Sequence, residues 1–188
     1  MKRKYLLILL LLSMGLTACS GMELEERSFP MLVAVGEDNG KIFYKEAFPK
    51  EDDKGVYGAK ELDYSHLKVL VLEEDFLENS QMYKYELEKW AETEMYPRNT
   101  YVCVVDDISY LFELEKKLSQ DLGSYLEEYL KKYGENINQL LTLGDLIDTK
   151  DNEEMVQYIP YMEVEENQVK WLGYVNISGK RWQESIID

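Results

Sequence analysis

The chain has 188 residues, with 21 Lys+Arg against 37 Asp+Glu, a formal charge of −16, one His and two Cys. This length predicts one compact domain, and 45% apolar residues are enough to build its core. The acidic balance, with no Lys/Arg cluster beyond residue 4, argues against a nucleic-acid partner. So few His and Cys leave little to hold a transition metal.

The N-terminus reads as an export signal. Lys2, Arg3 and Lys4 precede the apolar run from Tyr5 to Met14. Ten helical residues rise only ~15 Å, half of a ~30 Å hydrocarbon core, so the run fits a signal h-region rather than a membrane span. Leu16-Thr17-Ala18-Cys19 then matches the bacterial lipobox, in which small residues enter the peptidase cleft and the Cys thiolate accepts a diacylglyceryl group. Cleavage before Cys19 removes the three leading cations, leaving 18 against 37 carboxylates and a charge of −19. An anionic lipid surface repels such a domain, so the acyl chains must hold it, at ~0.8 kcal/mol per buried CH₂. The expected organisation is a signal peptide over 1–18, a short tether over 19–27 and one domain over 28–188.

In chain order, Ser28–Gly36 reads as a strand with Pro30 near its start, and Asn39-Gly40 as a hairpin turn returning through Lys41–Phe48. Pro49–Leu62 is polar and reads as a loop. Leu67–Leu72 is a third, central strand, and the acidic Glu73-Glu74-Asp75 suits a helix start. A helix is expected over 76–95, with Pro97 beyond its end. The apolar run Thr100–Val105 then completes a strand–helix–strand unit with parallel pairing. Ser109 is expected to cap the next helix. Leu122, Tyr125, Leu126, Tyr129, Leu130 and Tyr133 form an amphipathic stripe closed by Gly134. Thr142 and Asp145 fit a capping box, 148–154 a solvated loop, and Met155–Val164 with Gln168–Ile177 a closing hairpin. The fold class is therefore α+β: a mixed sheet with an N-terminal hairpin, a strand–helix–strand unit, a helical segment and a C-terminal hairpin. Its helices are expected on one face.

Chemistry-bearing groups are sparse. If Cys19 is acylated, Cys103 has no disulfide partner, and its β-branched surroundings make it an inert core thiol. His66 stands beside Asp63 and Ser65, but three residues this close cannot take triad geometry on a strand, so a structural role is expected. Asp148, Asp151 and Glu154 lack the glycine and terminal Glu of a calcium loop, and Asn176-Ile177-Ser178 matches a glycosylation sequon by chance. The Tyr125, Tyr129 and Tyr133 stripe reads as core and its rim. No catalytic residue, cofactor or metal ligand is expected.

The order of these segments resembles the Ger(x)C family, the C-subunit lipoproteins of spore germinant receptors. The resemblance lies in the lipobox Cys19, in Glu25-Glu26-Arg27 leading into Phe29–Gly36, and in His66-Leu67-Lys68-Val-Leu-Val-Leu-Glu73 against the family's H-x-K, apolar strand and acid. It extends through Leu87–Val105, Ile159-Pro160-Tyr161-Met162 and Leu172–Lys180. Ser20-Gly21 departs from the family's usual Trp-Asp, and family members continue into further α/β domains. The resemblance implies a lipid-anchored accessory subunit on the extracytoplasmic face, in the spore inner membrane, with multi-pass receptor subunits as partners and no catalytic residues. An envelope scaffold or binding module unrelated to spores, and a surface hydrolase, are the alternatives from other classes.

Overall fold

A computed structural model of the chain describes residues 27–50, 61–134, 140–150 and 158–176. The lipobox residues Leu16, Thr17, Ala18 and Cys19 lie outside them, as do Asp151, Glu154 and the last two residues of the sequon. The strands are β1 (Arg27–Ser28), β2 (Leu32–Asp38), β3 (Lys41–Ala47), β4 (Glu61–Leu62), β5 (Val69–Glu73), β6 (Tyr101–Val105), β7 (Tyr158–Glu165) and β8 (Gln168–Asn176). The helices are α1 (Glu74–Glu78), α2 (Ser80–Thr93), α3 (Ile108–Glu115), α4 (Leu122–Gly134) and α5 (Leu143–Thr149).

Six strands form one sheet in the order β3-β2-β5-β6-β7-β8, while β1 and β4 make a separate parallel pair. The four inner strands run parallel, and an antiparallel hairpin adds each edge strand. The α+β expectation holds, with the strand–helix–strand unit β5-α1-α2-β6 paired in parallel. Both hairpins close through two residues of positive φ. Asn39 (51°) and Gly40 (77°) turn β2 into β3, and Glu166 (50°) and Asn167 (67°) turn β7 into β8. Such turns match the right-handed twist of the strands they join.

The helices cover both faces of the sheet, not one. Alternate residues of the inner strands bury on opposite sides. Val33, Val35, Leu70, Leu72, Val102 and Val104 pack with Phe76 of α1, Leu87 and Trp90 of α2 and Leu146 of α5. Leu32, Ala34, Val69, Val71, Cys103 and Val105 pack with Leu111 of α3 and Leu122, Leu126 and Leu130 of α4. Strands buried on both faces must be apolar without interruption, as Leu32–Val35, Val69–Leu72 and Val102–Val105 are.

Several boundaries differ from expectation: the strand expected over Ser28–Gly36 splits into β1 and β2, β4 falls within the expected loop Pro49–Leu62, β5 starts at Val69 rather than Leu67, and three helix ends shift for a local reason. The helix expected over 76–95 is broken at Asn79, whose backbone leaves helical angles and whose side chain accepts a hydrogen bond from the Met82 N–H at 3.3 Å to open α2. The α2 helix ends at Thr93, with Glu94 left-handed, before Pro97 is reached. Asp107, not Ser109, caps α3, its carboxylate accepting from the Ser109 N–H at 2.6 Å. The Thr142–Asp145 capping box opens α5 as its residue types require.

Candidate functional site

The C-terminal ends of β2, β5 and β6 lie side by side, because the parallel register aligns Val35 with Leu72 and Leu72 with Val104. Each strand finishes on acidic residues. Glu37-Asp38, Glu73 with Asp75, and Asp106-Asp107 therefore converge on a cavity of about 670 Å³, where Lys41 is the cation and Ile42 and Phe43 supply apolar wall. Crevices at the carboxyl ends of parallel strands are where open sheets of this kind take ligands.

Much of the acidity also holds the local backbone. Glu37 accepts from the Gly40 N–H (3.1 Å) and the Asn79 side-chain amide (3.2 Å). Glu73 accepts from the Ile108 N–H at 3.2 Å, so β5 and the start of α3 share one carboxylate. Asp106 accepts from the Val164 N–H at 3.4 Å. Burial pushes the Glu73 carboxyl above its ordinary range, and the charges of Asp107 and Asp75 add to the push, while hydrogen bonds from the Ile108 and Glu37 backbone oppose it. Gly36 makes this placement possible, since a Cβ there would collide with the Glu73 carboxylate and the Phe43 ring.

Chemically, the cavity can receive positive charge. Its hydroxyl, Ser109, has carboxylates around it and no histidine among the lining residues. Glu74 and Asp75 stand in the first turn of α1, as the helix dipole favours, whereas nothing local in the sequence gathers the six cavity carboxylates into one place. The available signal was the repeat itself: an apolar strand run followed by acids, directly after Leu72 and Val105 and one glycine after Val35.

The groups singled out from sequence lie elsewhere. His66 ends a short 3₁₀ turn, Tyr64–His66, rather than opening β5. Its exposed ring lies 4.8 Å from that of Phe29, at the opposite end of the sheet from the cavity. Asp63 caps that turn through the Ser65 N–H (3.0 Å) and pairs with Arg27 (2.8 Å). Hydrogen bonds from the Ser65 side chain and backbone, then from Arg27, hold its carboxyl down to about 2. Cys103 is fully buried, and burial raises its thiol far above the usual range. Asp148 is engaged by Arg98 at 2.6 Å. Tyr125, Tyr129 and Tyr133 run as a ladder onto Trp171 of β8, with the Tyr133 and Trp171 rings stacked 6.0 Å apart. The buried floor of that helix face is Leu122, Leu126 and Leu130, so the tyrosines form its rim.

A buried polar cluster was not foreseen. Glu86 of α2 is 3% exposed, and its carboxylate accepts from the Tyr44 hydroxyl of β3 and from Lys89 (3.0 Å). Among the described residues, no group of three His, Cys, Asp or Glu side chains is arranged to hold a metal ion. Nor is any helix among them long and apolar enough to cross a membrane.

Fold and cavity together define a small α+β domain with an acidic crevice at its strand ends. The family model for the spore germination protein N-terminal domain matches residues 52–164. That is more than half of the chain, and the protein belongs to this family. The Ger(x)C resemblance at His66–Glu73 and Ile159–Met162 falls inside the matched range. Neither the characterised proteins nor the solved structures contain a match to the chain.

Proposed function

We propose that the protein is an acylated accessory subunit, of the C type, in a germinant receptor, acting in nutrient-triggered spore germination from the extracytoplasmic face of the spore inner membrane. The observation that carries this reading is the family match over residues 52–164. The lipobox Leu16-Thr17-Ala18-Cys19, behind three cations and a short apolar run, supports the anchor. In this reading residues 1–18 leave as signal peptide, Cys19 carries the lipid, 19–27 form the tether, and the domain over 28–188 works by binding rather than catalysis. Its partners are multi-pass receptor subunits in the same membrane, met at the raised effective concentration that a shared anchor surface provides.

Deletion of the gene tests the role. Germination should slow in at least one nutrient while release by direct peptidoglycan-lysing treatment stays intact. Wild-type germination in every nutrient, or expression confined to growing cells, overturns the reading. Cys19→Ala tests the anchor, since the unacylated protein should leave the membrane fraction. Persistent partitioning of Cys19→Ala into membranes would overturn acylation as the means of attachment.

A further inference from the structure

We infer that the β1–β4 pair is a latch over the Arg27–Ser28 peptide bond, one that opens while the six-stranded sheet stays folded and exposes that bond to an arginine-specific protease. Cleavage there frees the domain from its lipid; that consequence rests on the reading of Cys19 as the membrane anchor. The site is set by the sequence. Arg27 is the single Lys or Arg between Cys19 and Lys41, and beyond it the chain holds two more arginines, Arg98 and Arg181. Hydrolysis of the Arg27–Ser28 bond consumes one water and leaves a carboxylate on Arg27 and an amine on Ser28. Cys19 stays with the first product and the sheet with the second.

The latch is set by the fold. β1 and β4 stand apart from the six-stranded sheet, with Arg27 opposite Glu61 and Ser28 opposite Leu62. The Asp63 N–H donates to the Ser28 carbonyl at 2.9 Å, and the Asp63 carboxylate holds the Arg27 guanidinium at 2.8 Å. A protease cleft takes its substrate extended and unpaired on both sides of the bond, so the closed pair, in which Ser28 is buried, resists cutting. Little holds it closed. Each strand has two residues, none of Arg27, Ser28, Glu61, Leu62 or Asp63 belongs to either apolar core, and Leu62 is exposed. Just past the latch, Met31 is bonded on both sides, its N–H to the Ala47 carbonyl (2.8 Å) and its carbonyl from the Lys68 N–H (3.0 Å), and Leu32 enters the core fully buried. Opening can therefore stop at Met31, because a segment with little buried apolar surface opens at lower cost than the whole domain.

Full-length acylated protein on phosphatidylglycerol vesicles, treated with an arginine-specific protease, tests this. Arg98 is the internal reference: it lies between α2 and β6 with its carbonyl accepting from the Gly144 N–H at 2.8 Å, so a cut there reports opening of the body. Cutting after Arg27 should run at least about tenfold faster than cutting after Arg98, since cleavage follows the open population of each site. The product beginning at Ser28 should leave the vesicles with its circular dichroism unchanged. Asp63→Asn keeps an acceptor for the Ser65 N–H and removes the charge that holds Arg27, so release should quicken about two- to fivefold. A Ser28→Cys/Leu62→Cys disulfide across the ladder should slow release to the Arg98 rate, and dithiothreitol should restore it. Equal rates at Arg27 and Arg98, or release that ignores the disulfide, overturns the latch. Protein that fails to float with the vesicles, yet is cut at Arg27 first, overturns the anchor and leaves the latch standing.

Discussion

Tyr44→Phe removes one hydroxyl and tests whether the buried Glu86 carboxylate ties the edge strand β3 to α2. Glu86 is almost fully enclosed, and its ligands are the Tyr44 hydroxyl and Lys89. A hydrogen bond to a charged group contributes ~1.5–3 kcal/mol. Lys89 loses its 3.3 Å contact to the Tyr44 hydroxyl but keeps both of its contacts to Glu86 in the variant, at 3.0 and 3.2 Å, so the lower end applies and the expected loss is about 1.5 kcal/mol. For a chain of this length that is a fall in Tm of ~3–6 °C, readable by circular dichroism. The pH dependence separates a lost hydrogen bond from a packing defect. Burial and Glu86 push the Tyr44 phenol up to about 12, whereas in the unfolded chain it ionises near 10. A group raised on folding stabilises fully below its unfolded pKa, and that stability drains away as pH climbs from 10 to 12. The gap between wild type and Tyr44→Phe should therefore hold steady up to about pH 9 and narrow above 10. A Tm within about 1 °C of wild type at pH 7, or a gap that ignores pH, would refute the linkage.

Leu126→Ala opens a void at a fully buried position of α4 and should cost ~2–5 kcal/mol in urea denaturation. Glu73→Gln keeps an acceptor for the Ile108 N–H and removes a carboxyl whose pKa is raised, first by burial. The wild-type side chain favours the fold below its unfolded pKa and loses that contribution as pH rises, so the variant should melt higher than wild type at pH 7 and no higher at pH 3; a lower Tm at pH 7 contradicts this. The Cys103 thiol should resist iodoacetamide in the folded protein and react once the chain is unfolded in guanidinium. Rapid native alkylation would show that β6 is not the closed core strand described.

Local signals were legible in the residues, and relations between distant segments were not. Asn39-Gly40 and the Thr142–Asp145 box carry their geometry in two to four residues, and both appear as read. The uninterrupted apolar runs at Leu32–Val35 and Val69–Leu72 are what strands covered on both faces require, a signal at odds with the expectation of helices on one face. The stripe Leu122–Leu126–Leu130, however, states which side of α4 is apolar and not which face of the sheet it meets. Asn79 sits inside a pattern that is helical on both flanks, and its side chain competes locally for the Met82 N–H. The cavity escaped notice because Glu37, Glu73 and Asp107 become neighbours only through the β2–β5–β6 register.

Strand order also has a consequence for how the chain acquires its shape. The sheet runs β3-β2-β5-β6-β7-β8, so after the first hairpin β5 reaches back past β3 to pair with β2, and each later sheet strand pairs with the sheet strand before it. A chain appearing N-terminus first, from a ribosome or through an export channel, thus always offers the next sheet strand a partner that is already out. No inner strand must wait unpaired for a segment not yet made, which shortens the time its edge is open to other chains. The final hairpin, β7-β8, then closes the growing edge with a segment whose own turn is local, so completion of the sheet is a fast step.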